Sequence, residues 1–239
     1  MGLGEAMKGK LIGVGLGPGD PELMTLKAHR LISGAAVIAY PTLAGGDSFA
    51  RAIAAGFFRE EVVEIAFDVP MQVSREPAQT AYDLGAARIR DALDLGQDVV
   101  LLCEGDPLFY GSFMYMQARL AGDYGVEVVP GVTSVSASSA RLGLPLVARN
   151  EVLTVIPAPL DIDAIRVRIL ASDAVAIMKL GRHMPKIRAL IDAMGLTPHA
   201  VYIERASLPA ERSMPLCEAP ENAPYFSMIL LTKGADPWL

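Results

Sequence analysis

Val99-Val100-Leu101-Leu102-Cys103-Glu104-Gly105-Asp106-Pro107-Leu108-Phe109-Tyr110-Gly111 carries an apolar run straight into an acidic, glycine-containing turn. The five apolar residues Val99–Cys103 fit a strand covered on both faces, the kind that parallel sheets use. Glu104-Gly105-Asp106-Pro107 then breaks the run. Asp106 stands where a helix N-cap accepts backbone N–H groups, and Pro107 stands at the first helical position, where its missing donor costs nothing. Ligands collect at the carboxyl ends of such strands in open α/β sheets. The turn is therefore either a capping device or one wall of a binding site.

Outward from this run, further strand-like segments occur at 11–14, 35–40, 62–65 and 126–129, separated by helical stretches. Between 78 and 95, apolar side chains recur at Ala78, Ala81, Tyr82, Gly85, Ile89, Ala92 and Leu93, which is helical spacing closed by Gly96. Strand alternating with helix predicts βαβ units and a parallel sheet. The rhythm pauses near Leu144-Pro145-Leu146-Val147-Ala148-Arg149-Asn150, and new strand candidates follow at 152–156, 174–178, 201–204 and 226–232. The expected organisation is an N-terminal α/β domain over 1–148 and a C-terminal α+β domain over 149–239.

Composition narrows the class. The chain has 239 residues, 52% of them hydrophobic and 20% charged, and no apolar run reaches the roughly 18 residues of a membrane span. Met1–Lys8 has no basic segment followed by an apolar core, so a secretory signal is not expected and the expected location is cytoplasmic. Cys103 and Cys217 have neither metal-ligand nor disulfide spacing, and no metal site is expected. Twenty-one Lys and Arg against 27 Asp and Glu give a net charge of −6. Without a basic block, this argues against a nucleic-acid surface and leaves local arginines to handle an anionic small molecule.

A second turn, Gly13-Val14-Gly15-Leu16-Gly17-Pro18-Gly19-Asp20-Pro21, repeats the pattern of strand, glycines and Asp-Pro. It does not read as a dinucleotide fingerprint. From Gly13 and Gly15 the third glycine position of G-x-G-x-x-G is Pro18, and from Gly15 and Gly17 it is Asp20. The next strand ends Ala39-Tyr40-Pro41, without the acidic residue that holds a ribose hydroxyl. No Gly-Lys-Ser/Thr follows, which excludes a P-loop. What remains is either a tight structural turn or a backbone-lined concavity able to take an anionic group.

Gly13–Pro21, Glu104–Pro107 and Pro130-Gly131-Val132-Thr133-Ser134-Val135-Ser136-Ala137, in that order and spacing, resemble the tetrapyrrole methylases, the class III S-adenosylmethionine-dependent methyltransferases. The resemblance runs from Lys10 to Thr232 and includes Ile177–Arg182 and Tyr202–Pro209. It implies two α/β domains with the cofactor in the cleft between them, a homodimer, and C-methylation of a tetrapyrrole that leaves S-adenosylhomocysteine. The segments Ala140–Leu146, Met178–Arg182 and Tyr225–Met228 are similar to a branch that methylates an early corrin precursor of cobalamin synthesis, in its metal-free or cobalt-containing form. Siblings acting on uroporphyrinogen share the main motifs.

Carried over by motif, the resemblance implies cofactor contacts at Pro18, Glu104, Gly105, Asp106, Phe109, Thr133, Ser134, Met178 and Ala206. Many members have a glycine where this chain has Glu104, whose carboxylate either faces the sulfonium or points to solvent. An activated methyl leaves alignment as the main catalytic task, worth about 7–11 kcal/mol in well-aligned systems. Asp106 is the candidate base for the proton lost afterwards, although backbone donors would hold it ionised and weakly basic. Arg51, Arg75, Arg149, Arg182 and Arg205 are candidates for pairing with substrate carboxylates, or else ordinary surface arginines. Tyr110, Phe113, Met114, Tyr115 and Met116 either wall a flat macrocycle or pack in the core. Cys103 reads as core, and His29, His183 and His199 are given no role. The competing classes are a nicotinamide oxidoreductase, which lacks its motif here, and a non-catalytic binding protein.

Overall fold

The computed structural model describes residues 7–43, 46–70 and 76–234. It divides into two compact units, Met1–Thr133 and Ser134–Leu239. In the first unit the order is β1 (Lys10–Gly15), α1 (Leu26–Gly34), β2 (Val37–Thr42), α2 (Phe49–Ala54), β3 (Val63–Asp68), α3 (Glu76–Asp94), β4 (Val99–Cys103), α4 (Phe113–Leu120) and β5 (Gly125–Val129). The five strands form one parallel sheet in the order β3-β2-β4-β1-β5.

Strand alternation sorts the core. Leu11, Ala39, Leu101 and Cys103 face α3 and α4, whereas Ile12, Val14, Ile38, Val100 and Leu102 face α1 and α2. Covered on both sides, β4 is uniformly apolar, and none of its residues is more than 4% exposed. α3 buries Ala81, Tyr82, Gly85, Ala86, Ile89, Ala92 and Leu93 along one stripe. The chain leaves the adjacent strands β1 and β4 in opposite directions, toward β2 from one and toward β5 from the other. Such a reversal marks the carboxyl ends of the two strands as the place where α/β sheets bind ligands.

The second unit contains α5 (Ser134–Leu142), β6 (Leu153–Pro157), α6 (Ile162–Leu170), β7 (Ala174–Met178), α7 (Met184–Ala193), β8 (Ala200–Glu204), β9 (Arg212–Pro215) and β10 (Ser227–Thr232). Its sheet has the order β6-β7-β10-β8-β9, parallel between β6 and β7 and antiparallel elsewhere. α6 and α7 cover one face through Ile165, Ile169, Ile187, Leu190 and Ile191. The other face packs Ala176, Ile203, Met228 and Leu230 against Val135 and Leu142 of α5 and against Leu144 and Leu146.

That packing moves the expected domain boundary. The division falls between Thr133 and Ser134 rather than at 148/149, because α5 and the leucines after it bury their apolar side chains on the second sheet. Strand β9 had no counterpart in the sequence reading. Among the described residues no helix is long and apolar enough to cross a membrane.

Candidate functional site

Three loops meet at the carboxyl ends of β1, β4 and β5, and they meet backbone to backbone. Leu16 N–H donates to the Cys103 carbonyl at 2.9 Å, and Gly17 and Gly105 exchange N–H···O bonds of 3.2 and 2.8 Å. Past the parallel β1–β4 pair the two turns thus form an isolated antiparallel bridge of their own. Gly131, just after β5, packs so closely that a Cβ there would lie 2.0 Å from the Gly105 carbonyl oxygen and 2.9 Å from Gly15 Cα. A Cβ on Gly15 would in turn lie 2.5 Å from Gly131 N. Neither contact leaves room for any side chain.

Gly105 is required for a different reason. Its φ is +63°, and a Cβ built on it meets nothing within 4 Å. The bare backbone therefore faces open space, as a surface that must approach a ligand closely does.

Asp106 ties the second loop to the third. Its Oδ1 accepts from Leu108 N–H at 2.9 Å and Phe109 N–H at 3.0 Å, and its Oδ2 accepts from Gly131 N–H at 3.1 Å. The expected helix at Pro107 does not form. Residues 107–110 bend back, Tyr110 adopts φ +56°, and the helix begins only at Phe113 after Ser112. Asp106 satisfies the two N–H groups of a side-chain-closed turn in the way an N-cap would, with no helix behind it. Phe109 accordingly lies in the loop. The first Asp-Pro behaves similarly: Asp20 caps a single 3-10 turn at Pro21–Leu23, and Thr25 caps α1 with a 3.1 Å bond from Ala28 N–H.

Glu104 is exposed at the head of the second loop. It follows β4 directly, on the side of the turn that faces the first turn of α2. Desolvation by the surrounding protein pushes its carboxyl above the ordinary range, with the nearby Ala50 backbone acting in the opposite direction. Cys103 is core as expected, its thiol pushed far up by burial.

The structure thus brings Pro18, Glu104, Gly105 and Asp106 to one end of the first sheet, with Thr133 two residues beyond Gly131. Ser134 opens α5. Met178 ends β7 and Ala206 follows β8, and both pack on the same face of the second sheet beside Met228 and Ile203. Phe113 and Met116 are core residues with no exposed surface, and Phe113 fills the space beside Gly13. Tyr110, Met114 and Tyr115 are exposed.

The candidate arginines separate as well. Arg51 is committed to Glu64 through two bonds of 2.6 and 2.9 Å, with the Tyr40 hydroxyl donating to the same carboxylate at 2.6 Å. That pairing holds the Glu64 carboxyl below its usual range. Arg149 sits in the segment before β6 with φ +48°, Arg182 is exposed in a short turn after β7, and Arg205 follows β8 directly. Arg75 lies outside the described residues. His29 packs edge-on to Phe57, and burial lowers the His183 pKa, with Lys186 and Arg182 adding to the effect.

Comparison with known proteins supports what these loops suggest. The family model for tetrapyrrole (corrin/porphyrin) methylases matches residues 10–219. The chain is 39% identical over 237 residues to a precorrin-2 C(20)-methyltransferase from Sinorhizobium sp, covering 95% of this chain and 97% of that protein. It is 42% identical over 236 residues to the cobalamin biosynthesis protein CobIJ of Mycobacterium tuberculosis, of which it spans 46%, about half the length. Among solved structures, a uroporphyrin-III C-methyltransferase from Thermus thermophilus complexed with S-adenosylhomocysteine aligns with a TM-score of 0.67 at 28% identity, over 94% of this chain and 92% of that one. The chain belongs to the tetrapyrrole methylase family.

Proposed function

We propose that the chain transfers a methyl group from S-adenosylmethionine to C(20) of precorrin-2. The observation that carries this reading is the 39% identity with a precorrin-2 C(20)-methyltransferase over nearly the full length of both proteins. The glycine-built loops support it: Gly15 and Gly131 let the loops pack backbone to backbone, and Gly105 leaves bare backbone facing open space. When bound, S-adenosylmethionine supplies a methyl already activated by its sulfonium.

Pro18, Gly105, Phe109 and Thr133 are the proposed contacts in the first unit. Ser134, Met178 and Ala206 stay in the contact set on the motif match alone. The protein's own contribution is alignment, which depends on the three loops holding one shape. We assign Asp106 to that task rather than to proton removal, because both of its oxygens already serve backbone donors across two loops. We also read the protein as a cytoplasmic homodimer, a reading supported by the family and by the exposed Leu84, Met114 and Tyr115 on the packed pair α3 and α4.

The test is an anaerobic incubation with precorrin-2 and methyl-labelled S-adenosylmethionine, followed by carbon NMR of the product. Label at the C(20) meso carbon is the expected result. Absence of label with both metal-free and cobalt-containing precorrin-2, in a preparation that binds S-adenosylhomocysteine, overturns the assignment.

A further inference from the structure

Glu204 ends β8 with a carboxylate only 4% exposed. A carboxylate removed from water persists where hydrogen bonds and opposite charge answer it. Its Oε2 accepts from the fully buried Tyr202 hydroxyl at 2.5 Å. Its Oε1 faces two guanidiniums, Arg205 Nη1 at 3.7 Å and Arg212 Nη1 at 3.6 Å. The strand register produces this meeting, because Glu204 lies opposite Arg212 on β9 and Ser227 on β10.

Both arginines are well exposed, at 45% and 59%, and both sit beyond hydrogen-bond length from the carboxylate. The buried charge therefore sets where the guanidiniums stand without using up their donors. Arg205 has φ +51°, an uncommon conformation for a side-chain-bearing residue, and its N–H donates to the Phe226 carbonyl at 2.8 Å. Phe226 and Tyr225 are exposed rings in edge-to-face contact at 5.1 Å. One strand end of an acidic chain thus gathers two guanidiniums and two aromatic rings around a buried anchor.

We propose that Arg205 and Arg212, spaced by Glu204 and flanked by Tyr225 and Phe226, form a fork that binds carboxylate side chains of a flat tetrapyrrole. This rests on the tetrapyrrole reading above and names the residues that recognise the acid groups. Arg205 and Arg212 are substrate-binding residues and Glu204 is a positioning residue. Bidentate guanidinium–carboxylate pairing supplies the geometry, and the ring pair supplies an apolar wall.

The test is a fluorescence titration of the full chain, with S-adenosylhomocysteine present, using uroporphyrin, which carries eight carboxylates, and coproporphyrin, which carries four. The wild type binds uroporphyrin more tightly. Arg205→Ala and Arg212→Ala each weaken uroporphyrin binding by about tenfold and narrow the preference. Arg205→Lys recovers part of the loss, because lysine keeps the charge and loses the planar fork. Glu204→Gln acts in the same direction by letting both arginines drift. Calorimetric affinity for S-adenosylhomocysteine stays at the wild-type level in the arginine variants.

A double arginine variant that binds uroporphyrin as the wild type does overturns the fork, as does one that loses S-adenosylhomocysteine in equal measure. Porphyrin binding is read independently of methyl transfer. A wild type that binds uroporphyrin through these arginines and leaves precorrin-2 unmethylated keeps the fork and sinks the reaction. A double variant with full kcat/KM on precorrin-2 does the reverse.

Discussion

Replacing Asp106 separates a loop tie from a proton acceptor. Asp106→Ala removes three hydrogen bonds, two within the second loop and one to Gly131 in the third. At about 0.5–1.5 kcal/mol net for each bond, and toward the low end because two of them are near solvent, the loss is about 2–3 kcal/mol. For a chain of this size that lowers the unfolding midpoint by about 5–10 °C. Asp106→Asn is the sharper probe. Its amide oxygen can keep Leu108 and Phe109 while its NH2 group meets Gly131 N–H, donor against donor, so the break is confined to the link between loops. Scanning calorimetry and titration with S-adenosylhomocysteine then show a smaller drop in midpoint together with weaker cofactor binding. A base, by contrast, contributes about 10²–10⁴-fold to turnover and leaves stability alone. An Asn variant with wild-type midpoint and wild-type cofactor affinity but no turnover refutes the tie and restores Asp106 as the base.

Gly131→Ala places a methyl 2.0 Å from the Gly105 carbonyl oxygen, so the loops must separate; titration calorimetry is expected to show S-adenosylhomocysteine binding lost, with stability down by about 1–3 kcal/mol. Phe113→Ala empties a fully buried site against Gly13 and costs about 3–5 kcal/mol in urea denaturation. The raised folded pKa of Glu104 means that its favourable contribution is complete below the unfolded carboxylate pKa and is lost as pH rises through the folded value. Glu104→Gln, which stays neutral at every pH, therefore matches the wild type at low pH and exceeds it in midpoint once that window is passed. The opposite sign holds for Glu64, whose pKa is lowered by Arg51: its stabilisation is present above the unfolded carboxylate pKa and fades as pH falls through the folded one. A thermal-melt series of Glu64→Gln across that range is expected to converge with the wild type at the acid end.

The central strands were readable because their burial is uniform. Val99–Cys103 and Ala174–Met178 are unbroken apolar runs, and both strands have those bounds in the structure. β9 was not readable because Arg212-Ser213-Met214-Pro215 is an edge strand, paired only with β8, and needs neither an apolar face nor a free N–H at Pro215. Asp106-Pro107 carried the letters of a helix start, and the turn used the same side-chain chemistry without the helix. Pro18, Glu104, Gly105 and Asp106 are named by motif, but the Gly15–Gly131 approach joins positions distant in sequence and leaves no local signal. Arg212 was missed for the same reason, since only cross-strand register sets it beside Glu204.

The strand order of the first unit also constrains how the chain assembles. β1 and β2 are not neighbours, and the lane between them is filled by β4, whose residues come much later in the chain. A nascent polypeptide that has emerged only as far as Gln97 can pair β2 with β3 but has nothing to hold β1 beside them. Each apolar face then stays wet until Val99–Cys103 arrives and closes both at once. Folding of this unit is thereby postponed to a late, non-local event. During synthesis the exposed strands are a stretch for which chaperones and aggregation compete.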